Sequence, residues 1–270
     1  MSRPLLVVDG DSFAHRAFHA LPKSIRFNAV VGFTNMIIRL WEQEQPRAVF
    51  VGWDTYDAPT YRSQAFPAYQ SGREFDPSII EQLAMLPRLC EALGFTIAKA
   101  AGFEADDFLA AAVAAEEGQG GTCLVASGDR DSFQLASERT TILYPSRGVS
   151  DLSRIGPAEV RERYGVEPRQ VPDFIALRGD PSDKLPGARG VGPKTAADIV
   201  RKLGSLEAAL EAGKFAGQAD ELRLYRRIAT MDAAAPIPTL PDRQPSWPAA
   251  AALLREWQVT QLADRLAARR

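Results

Sequence analysis

The sequence predicts an α/β protein with a mostly parallel central sheet flanked by helices, followed by a helical C-terminal region. Up to about residue 155, short β-rich apolar runs alternate with segments of helical periodicity. That alternation is typical of parallel strands joined by crossover helices. From about Gly156 onward, helical patterns separated by Gly and Pro dominate. We therefore expect two regions, residues 1–155 and residues 156–270.

Five apolar runs have the length and composition of strands. In chain order they are Leu5 to Val8, Ala48 to Trp53, Phe95 to Ala98, Thr122 to Ala126 and Thr141 to Tyr144. Between the first two, apolar residues from Ala29 to Trp41 recur at helical spacing and Pro46 ends the segment, which predicts a helix. Near the C-terminus, Pro241 to Pro248 predicts a turn or short linker before a last helix.

The composition narrows the possible functions. With 46% hydrophobic residues among 270, the chain can bury a large core. No apolar run approaches the roughly 20 residues of a membrane span, so we expect a cytoplasmic protein without membrane contact. Only two histidines and two cysteines are present, so a catalytic metal would need oxygen ligands, which favours Mg²⁺ or Mn²⁺. The formal net charge of −2 means that any nucleic-acid contact must be a local patch.

Acidic residues follow the ends of the predicted strands. Because carboxyl ends of parallel strands share one edge of a sheet, these side chains can converge there. Clustered carboxylates repel, and two divalent cations about 4 Å apart both relieve that repulsion and promote phosphodiester hydrolysis, which indicates a nuclease. Any single acid also fits helix capping or turn formation, so the prediction depends on the whole set. Its members are Asp9, Asp54, Glu104, Asp106, Asp107, Asp129 and Asp131, with Asp180 and Asp183 in a later loop.

A glycine-rich segment, GDPSDKLPGARGVGPKT, lies between Ile175 and Ile199. Glycines before a helix start at Pro193 expose backbone N–H groups that can hold phosphate without reading bases. The same letters nearly fit a phosphate-binding P-loop, but Pro193 breaks its spacing and no clear strand precedes it. A plain connection between helices is the other alternative. The residues expected to contact DNA here are Lys184, Gly190, Gly192, Lys194 and Thr195.

The motifs VVDG, WD with PTYR, AYQSGR, EADD, SGDRD and LRGDPSDKLPGARGVGPKTA occur in an order that resembles the flap endonuclease and 5′-3′ exonuclease family. The resemblance is closest to the 5′ nuclease domain of bacterial DNA polymerase I and its stand-alone relatives, and it covers about Leu5 to Leu210. It implies a PIN-like nuclease fold, a helix-three-turn-helix that clamps duplex DNA, and a potassium ion in the glycine-rich loop. It also implies two metal sites, with Asp107 and Asp180 acting through water: one at Asp9, Asp54, Glu104 and Asp106, and one at Asp129, Asp131 and Asp183.

By this resemblance the chain is a structure-specific 5′ nuclease that uses two or more Mg²⁺ or Mn²⁺ ions. Its expected substrates are DNA flaps, nicks, gaps and free 5′ ends, in replication or repair. We expect a monomer that works beside replication or repair proteins. Two alternatives remain open: a DNA-structure binding protein with weak catalysis, and a PIN-type ribonuclease.

One departure from the family affects the expected catalytic strength. Members usually carry a lysine in the segment AYQSGR, where this chain has Gln70. A lost electrostatic contact can lower a rate on the order of 100-fold. Arg73, expected to act in catalysis, and Arg62 are the cations that can compensate. Arg16, Arg62 and Gln70 are expected to contact DNA. Nearby aromatic residues either stack on unpaired bases or pack in the core: Tyr56, Tyr61, Phe66, Tyr69 and Phe75.

Overall fold

A single six-stranded sheet forms the centre of the computed structural model, which describes residues 3–72, 74–147 and 151–269. The strands in these ranges are β1 Leu5–Asp9, β2 Ala48–Gly52, β3 Thr96–Ala98, β4 Cys123–Ala126, β5 Thr140–Arg147 and β6 Asp151–Ile155. Their spatial order is β3-β2-β1-β4-β5-β6. The first five pair in parallel, and β6 runs antiparallel to β5. The predicted fold class is confirmed, and each of the five predicted strands is present.

The sixth strand is absent from the sequence prediction. β6 has the sequence DLSRI, in which polar and apolar residues are mixed over only five positions. It pairs with a single neighbour, β5, at the edge of the sheet. An edge strand this short carries little of the apolar signal by which buried strands are detected.

The described part of the chain contains twelve α-helices. They are α1 Gly10–Ala20, α2 Asn28–Glu44, α3 Tyr61–Ala65, α4 Pro77–Ala92, α5 Ala105–Gly118, α6 Pro157–Tyr164, α7 Val171–Arg178, α8 Pro193–Leu203, α9 Leu206–Glu211, α10 Ala219–Ala229, α11 Trp247–Glu256 and α12 Thr260–Ala267. The helix predicted between the first two strands is α2. Two helices, instead of the single predicted one, end the chain. None of the described helices has the length and apolar character needed to cross a bilayer.

The two faces of the sheet bury separate apolar layers. Along β1, Leu5 and Val7 lie in one layer with residues of α5 and α7, whereas Leu6 and Val8 lie in the other with residues of α1, α2 and α11. All four side chains are 0% exposed. A strand buried on both faces must be apolar throughout, which explains the unbroken LLVV run. Its end, Asp9, is the first position where a carboxylate can reach the edge of the sheet.

Register brings the carboxyl ends of the central strands to the same level. Asp9 pairs with Gly52 of β2, and Val8 pairs with Ala126 of β4. A Cβ on Gly52 would lie 2.6 Å from the carbonyl oxygen of Ala105, so glycine lets the start of α5 approach the end of β2. The acidic segments after β1, β2 and β4 and before α5 therefore meet at one edge of the sheet.

Candidate metal centre and nucleic-acid interface

The edge of the sheet opens into a cleft of about 1100 Å³. Eight of the nine acids singled out in the sequence line this cleft, and the ninth, Asp107, does not. The eight are Asp9, Asp54, Glu104, Asp106, Asp129, Asp131, Asp180 and Asp183. The fold therefore brings together carboxylates from the strand ends and from the loop between α7 and α8.

Short turns after β1 and β4 fix the first acids. Asp9 is the N-cap of α1, where its Oδ1 accepts a hydrogen bond from the backbone N–H of Ser12 at 2.9 Å. Its Oδ2 accepts a 2.7 Å bond from the hydroxyl of Ser127. That hydroxyl accepts from the backbone N–H of Asp129 at 3.0 Å, and Asp129 Oδ1 accepts from the N–H of Asp131 at 2.9 Å. Ser127 thus connects the acids after β1 with those after β4.

The start of α5 holds the second group of acids. Asp54 Oδ1 accepts a 2.7 Å hydrogen bond from the backbone N–H of Ala105. Glu104 is the N-cap of α5, and its Oε2 accepts from the hydroxyl of Tyr69 and from Arg62 Nη1, both at 2.9 Å. These donors are amide, hydroxyl and guanidinium groups that stabilise ionised carboxylates at a helix N-terminus.

Arg62 and Asp107 have roles other than those predicted from sequence. Arg62 is 1% exposed, and its guanidinium bonds to both oxygens of Asp107 at 2.7 and 2.8 Å and to the carbonyl of Ile228 at 2.8 Å. Asp107 is 0% exposed and also accepts from the N–H groups of Glu104 and Asp232. Neither side chain lines the cleft, and each bonds within the protein. These contacts differ from the DNA contact predicted for Arg62 and from the water-mediated metal role predicted for Asp107.

The cleft disfavours negative charge on several of its acids. Burial raises the pKa of Asp9 from 3.8 to about 7. Burial, followed by repulsion from neighbouring carboxylates, raises the pKa of Asp54 and of Asp131 well above the usual range. Burial does the same for Asp106, although Arg62 at 3.8 Å lowers that pKa in part. A bound cation would stabilise the ionised forms of these neighbouring carboxyl groups.

Asp11 belongs to the cleft although the sequence did not single it out. It is 6% exposed, and burial raises its pKa. Its Oδ2 accepts from the backbone N–H of Asp54 at 2.7 Å, and its Oδ1 accepts from the hydroxyl of Tyr56 at 2.6 Å. The carboxylate thereby ties α1 to the turn after β2. The DGDS spacing, with two acids around the glycine that enters a helix, is the signal that could have found it.

The loop between α7 and α8 supplies the late acids. Asp180 Oδ2 pairs with Arg178 at 3.1 Å, and its Oδ1 accepts from the backbone N–H of Ser182 at 2.8 Å. Asp183 Oδ1 accepts a 2.9 Å hydrogen bond from the side-chain amide of Gln70. Two cations that were not predicted, Arg130 and Arg178, also line the cleft.

Paired glycines fold the same loop back on α7. A Cβ on Gly187 would stand 2.5 Å from the backbone nitrogen of Gly179, and both residues have positive φ angles, 77° and 82°. The N–H of Ala188 then donates to the carbonyl of Leu177 at 2.9 Å. This close approach leads the chain through the glycine-rich turn to Gly192, the N-cap of α8.

The residues predicted to bind DNA in this loop lie on the surface. Lys184, Gly190, Gly192, Lys194 and Thr195 are all exposed. The basic residues at the end of α8, Arg201 and Lys202, are exposed as well. A separate cavity of about 610 Å³ is lined by the loop residues Pro186 to Gly192 and by Gln218, Glu221 and Tyr225.

The remaining predicted residues have different surroundings. Arg16 lies beside the end of β4, with its Nη2 3.3 Å from where a Cβ on Gly128 would stand. Arg73 lies outside the described residues. Phe66 packs on Tyr225 with ring centroids 5.7 Å apart. Tyr69 is 6% exposed at the cleft, where its hydroxyl donates to Glu104. Tyr56, by contrast, is 50% exposed at the cleft.

The donor atoms of the cleft suit hard divalent cations. Its acids present carboxylate oxygens, the ligands that Mg²⁺ and Mn²⁺ prefer, and burial leaves several of them destabilised as anions. Within the described ranges, no group of three or more acidic, histidine or cysteine side chains is already arranged to hold a metal ion. The oxygens of Asp9 and Asp54 accept hydrogen bonds from the protein in this arrangement.

Both parts of the chain match known protein families. Residues 4–165 match the family described as 5′-3′ exonuclease, N-terminal resolvase-like domain, and residues 166–248 match 5′-3′ exonuclease, C-terminal SAM fold. DNA polymerase I of Mycobacterium tuberculosis is 44% identical over 215 residues, which are 77% of this chain and 24% of that protein. DNA polymerase I of Bacillus caldotenax is 37% identical over 240 residues, 86% of this chain and 27% of that protein. The chain thus spans about a quarter of the length of these relatives.

Solved structures share the fold across almost the whole chain. A T5 5′-exonuclease with bound zinc superposes with a TM-score of 0.73 at 19% identity, covering 98% of both chains. Human GEN1 in complex with Holliday junction DNA superposes with a TM-score of 0.63 at 13% identity, covering 98% of this chain and 71% of that one. At these identities the likeness concerns the fold, while the family models cover the sequence itself. The chain belongs to the 5′-3′ exonuclease family.

Proposed function

We propose that this chain is a metal-dependent 5′ nuclease that hydrolyses phosphodiester bonds in DNA with flaps, nicks, gaps or free 5′ ends. The observation that carries the proposal is the single cleft lined by eight predicted acids, next to an exposed, basic, glycine-rich loop. An acidic cleft alone would repel DNA. An acidic cleft that cations neutralise, with a phosphate-binding loop beside it, can hold and cleave DNA.

The residues proposed to hold two or more Mg²⁺ or Mn²⁺ ions come from both sets of acids. Asp9, Asp54, Glu104 and Asp106 form one set, and Asp129, Asp131 and Asp183 form the other, with Asp180 acting through water. When bound, such ions activate water and stabilise the leaving oxygen of the phosphodiester. Asp11 positions the turn that carries Asp54, and Arg62 positions Glu104, because each bonds directly to that segment or side chain.

The proposed DNA contacts lie mainly on the glycine-rich loop and α8. Backbone N–H groups near Gly190 and Gly192, with Lys194 and Thr195, grip the phosphates of a duplex without reading its bases. Arg16 contributes further positive charge nearer to the cleft. We also propose that a potassium ion binds the carbonyl groups of this loop.

The organisation of the chain and its setting are part of the proposal. Residues 1–155 form the nuclease region and residues 156–270 form the region that clamps duplex DNA. The chain acts as a monomer in replication or repair. Magnesium and manganese are both suitable, because the acidic cleft offers oxygen ligands.

Cleavage of defined DNA substrates tests this function. Flap, nicked and single-stranded substrates labelled at the 5′ end are incubated with Mg²⁺ or Mn²⁺, and product lengths are measured. We expect products on flap and nicked DNA that disappear with EDTA and in Asp129→Ala. Glu256→Ala, an exposed acid on α11, is the matched control and should retain activity.

Two outcomes would overturn the proposal. Product no greater than that of Asp129→Ala would favour a DNA-structure binding protein. Equal or better cleavage of single-stranded RNA would favour a PIN-type ribonuclease.

A further inference from the structure

Two loops meet at the rim of the acidic cleft and are joined by a pair of side chains. One loop, residues 66–72, follows α3, and the other, residues 180–185, precedes the glycine-rich turn. Gln70 of the first loop contacts Asp183 of the second, and Lys184 of the second contacts Ser71 of the first. We call this reciprocal pair of contacts the cross-loop latch.

Gln70 links the two sets of acids through a chain of hydrogen bonds. Its side-chain amide donates to Asp183 Oδ1 at 2.9 Å and to the hydroxyl of Tyr69 at 2.7 Å. The Tyr69 hydroxyl in turn donates to Glu104 Oε2 at 2.9 Å. A carboxamide has only two donor hydrogens, so both are used within the protein. This arrangement differs from the predicted role of Gln70 as a DNA contact.

Lys184 makes the second half of the latch. Its ammonium group bonds to the carbonyl oxygen of Ser71 and, at 3.0 Å, to the hydroxyl of the same residue. It also stands 3.8 Å from where a Cβ on Gly72 would be. The latch therefore brings a positive charge to the loop that carries the neutral Gln70.

Backbone geometry supports a specific contact at both ends of the latch. Gln70 and Lys184 have positive φ angles, 48° and 58°, and residues other than glycine adopt this backbone region at an energetic cost. Such conformations persist where surrounding contacts determine them. Each of these residues makes its latch contact from this backbone conformation.

We propose that Gln70 and Lys184 are positioning residues of the metal centre. Gln70 holds the carboxylate of Asp183 in a fixed position relative to Tyr69 and Glu104, and Lys184 keeps the Gln70 loop against the loop that carries Asp183. The inference rests on the proposed metal-dependent function. Partners that orient ligand side chains in this way typically change metal affinity by 10- to 100-fold.

Manganese binding to the metal-free protein, measured by calorimetry, tests the latch without requiring catalysis. Gln70→Met preserves the length of the side chain and removes both donors. We expect the affinity for the more weakly bound of the two Mn²⁺ ions to fall about 10-fold. The matched control is Gln64→Met in α3, an exposed glutamine whose amide makes a 3.4 Å contact with the carbonyl of Pro59.

A double-mutant cycle tests whether the two contacts act as one device. Lys184→Met should weaken Mn²⁺ binding in the same direction, because it frees the Gln70 loop. The double variant should lose less than the product of the two single losses, since either substitution opens the same latch. In flap cleavage, each variant should lower kcat at saturating DNA and leave the KM for DNA unchanged. A role in DNA binding would raise the KM instead.

The outcomes separate this inference from the proposed function. Two-ion binding by Gln70→Met within twofold of the unmodified protein would overturn the latch and leave the nuclease intact. Fully multiplicative losses in the cycle would also overturn it. Failure of the unmodified protein to bind Mn²⁺ would overturn the proposed function first.

Discussion

Asp9 links the folding stability of the protein to pH and to divalent cations. Burial at the end of β1 raises its pKa from 3.8 to about 7. The folded protein therefore holds this proton more tightly than the unfolded chain does. For a carboxyl group with a raised pKa, the stabilisation is present at low pH and is lost as pH rises from about 4 through about 7. Above that range the group is ionised in both states, and the loss is complete.

The magnitude follows from the size of the shift. One pKa unit corresponds to about 1.4 kcal/mol, so Asp9 alone removes on the order of 4 kcal/mol across this range. Somewhat more than a third of that, roughly 1.6 kcal/mol, is lost between pH 5.5 and pH 7, because the folded-state group is only half ionised at pH 7. Burial shifts the pKa values of Asp11, Asp54, Asp106 and Asp131 in the same direction, so ionisation of the cleft destabilises the protein further.

Urea unfolding at pH 5.5, 7 and 8 measures the effect. In EDTA the free energy of unfolding should fall by about 1.6 kcal/mol or more between pH 5.5 and 7. Mg²⁺ should restore it most at the higher pH, because a cation binds the ionised carboxylates. Asp9→Asn retains an acceptor for the Ser12 N–H and removes one titrating group, so its pH slope should be shallower. Stability of the unmodified protein that is constant or rises over this range in EDTA would refute the reasoning.

Two further substitutions test the parts of the structure that support the site. Arg62→Met should cost about 3–5 kcal/mol of unfolding free energy, because it leaves the buried Asp107 carboxylate without its partner. Adding Asp107→Asn to this variant should recover part of the lost stability. Additive losses from the two substitutions would contradict the pairing. Gly187→Ala should destabilise the protein by more than Gly190→Ala, since both have φ near 75° but only Gly187 would bring its Cβ against backbone, at 2.5 Å. Equal losses in chemical unfolding would show that the close approach to Gly179 is not limiting.

The sequence predicts the sheet well because parallel strands buried on both faces are unbroken apolar runs. LLVV and AVFVGW carry that signal, and the acids that follow them are placed by the common edge of the sheet. β6 carries no such signal, because it is a short strand of mixed polarity at the edge. Packing between distant segments decides the spatial order of the strands. It also places α11 and α12 on the face of the sheet opposite α7.

Individual roles within the site were harder to predict than its location. Asp106 and Asp107 are adjacent in the first turn of α5, where successive side chains point about 100° apart. Spacing alone does not tell which of the two points into the cleft and which points toward the core. The burial of Arg62 decides this, because its guanidinium lies beneath α5 and bonds both oxygens of Asp107. Asp11 escaped prediction because its partners, Asp54 and Tyr56, are more than 40 positions away in the chain.

The distribution of positive charge explains which acids are left for cations. Arg62 bonds directly to Glu104 and Asp107 and so neutralises the inner side of the acidic cluster. Asp9, Asp54 and Asp131 gain hydrogen bonds from neutral groups or remain near other acids, and burial raises their pKa values. A fold that needed only stability would replace such groups, because an ionised carboxylate in this cleft is destabilising. Their presence makes sense if cations supply the charge that Arg62 does not. The acids most destabilising to the metal-free fold are therefore those expected to contribute most to cation binding.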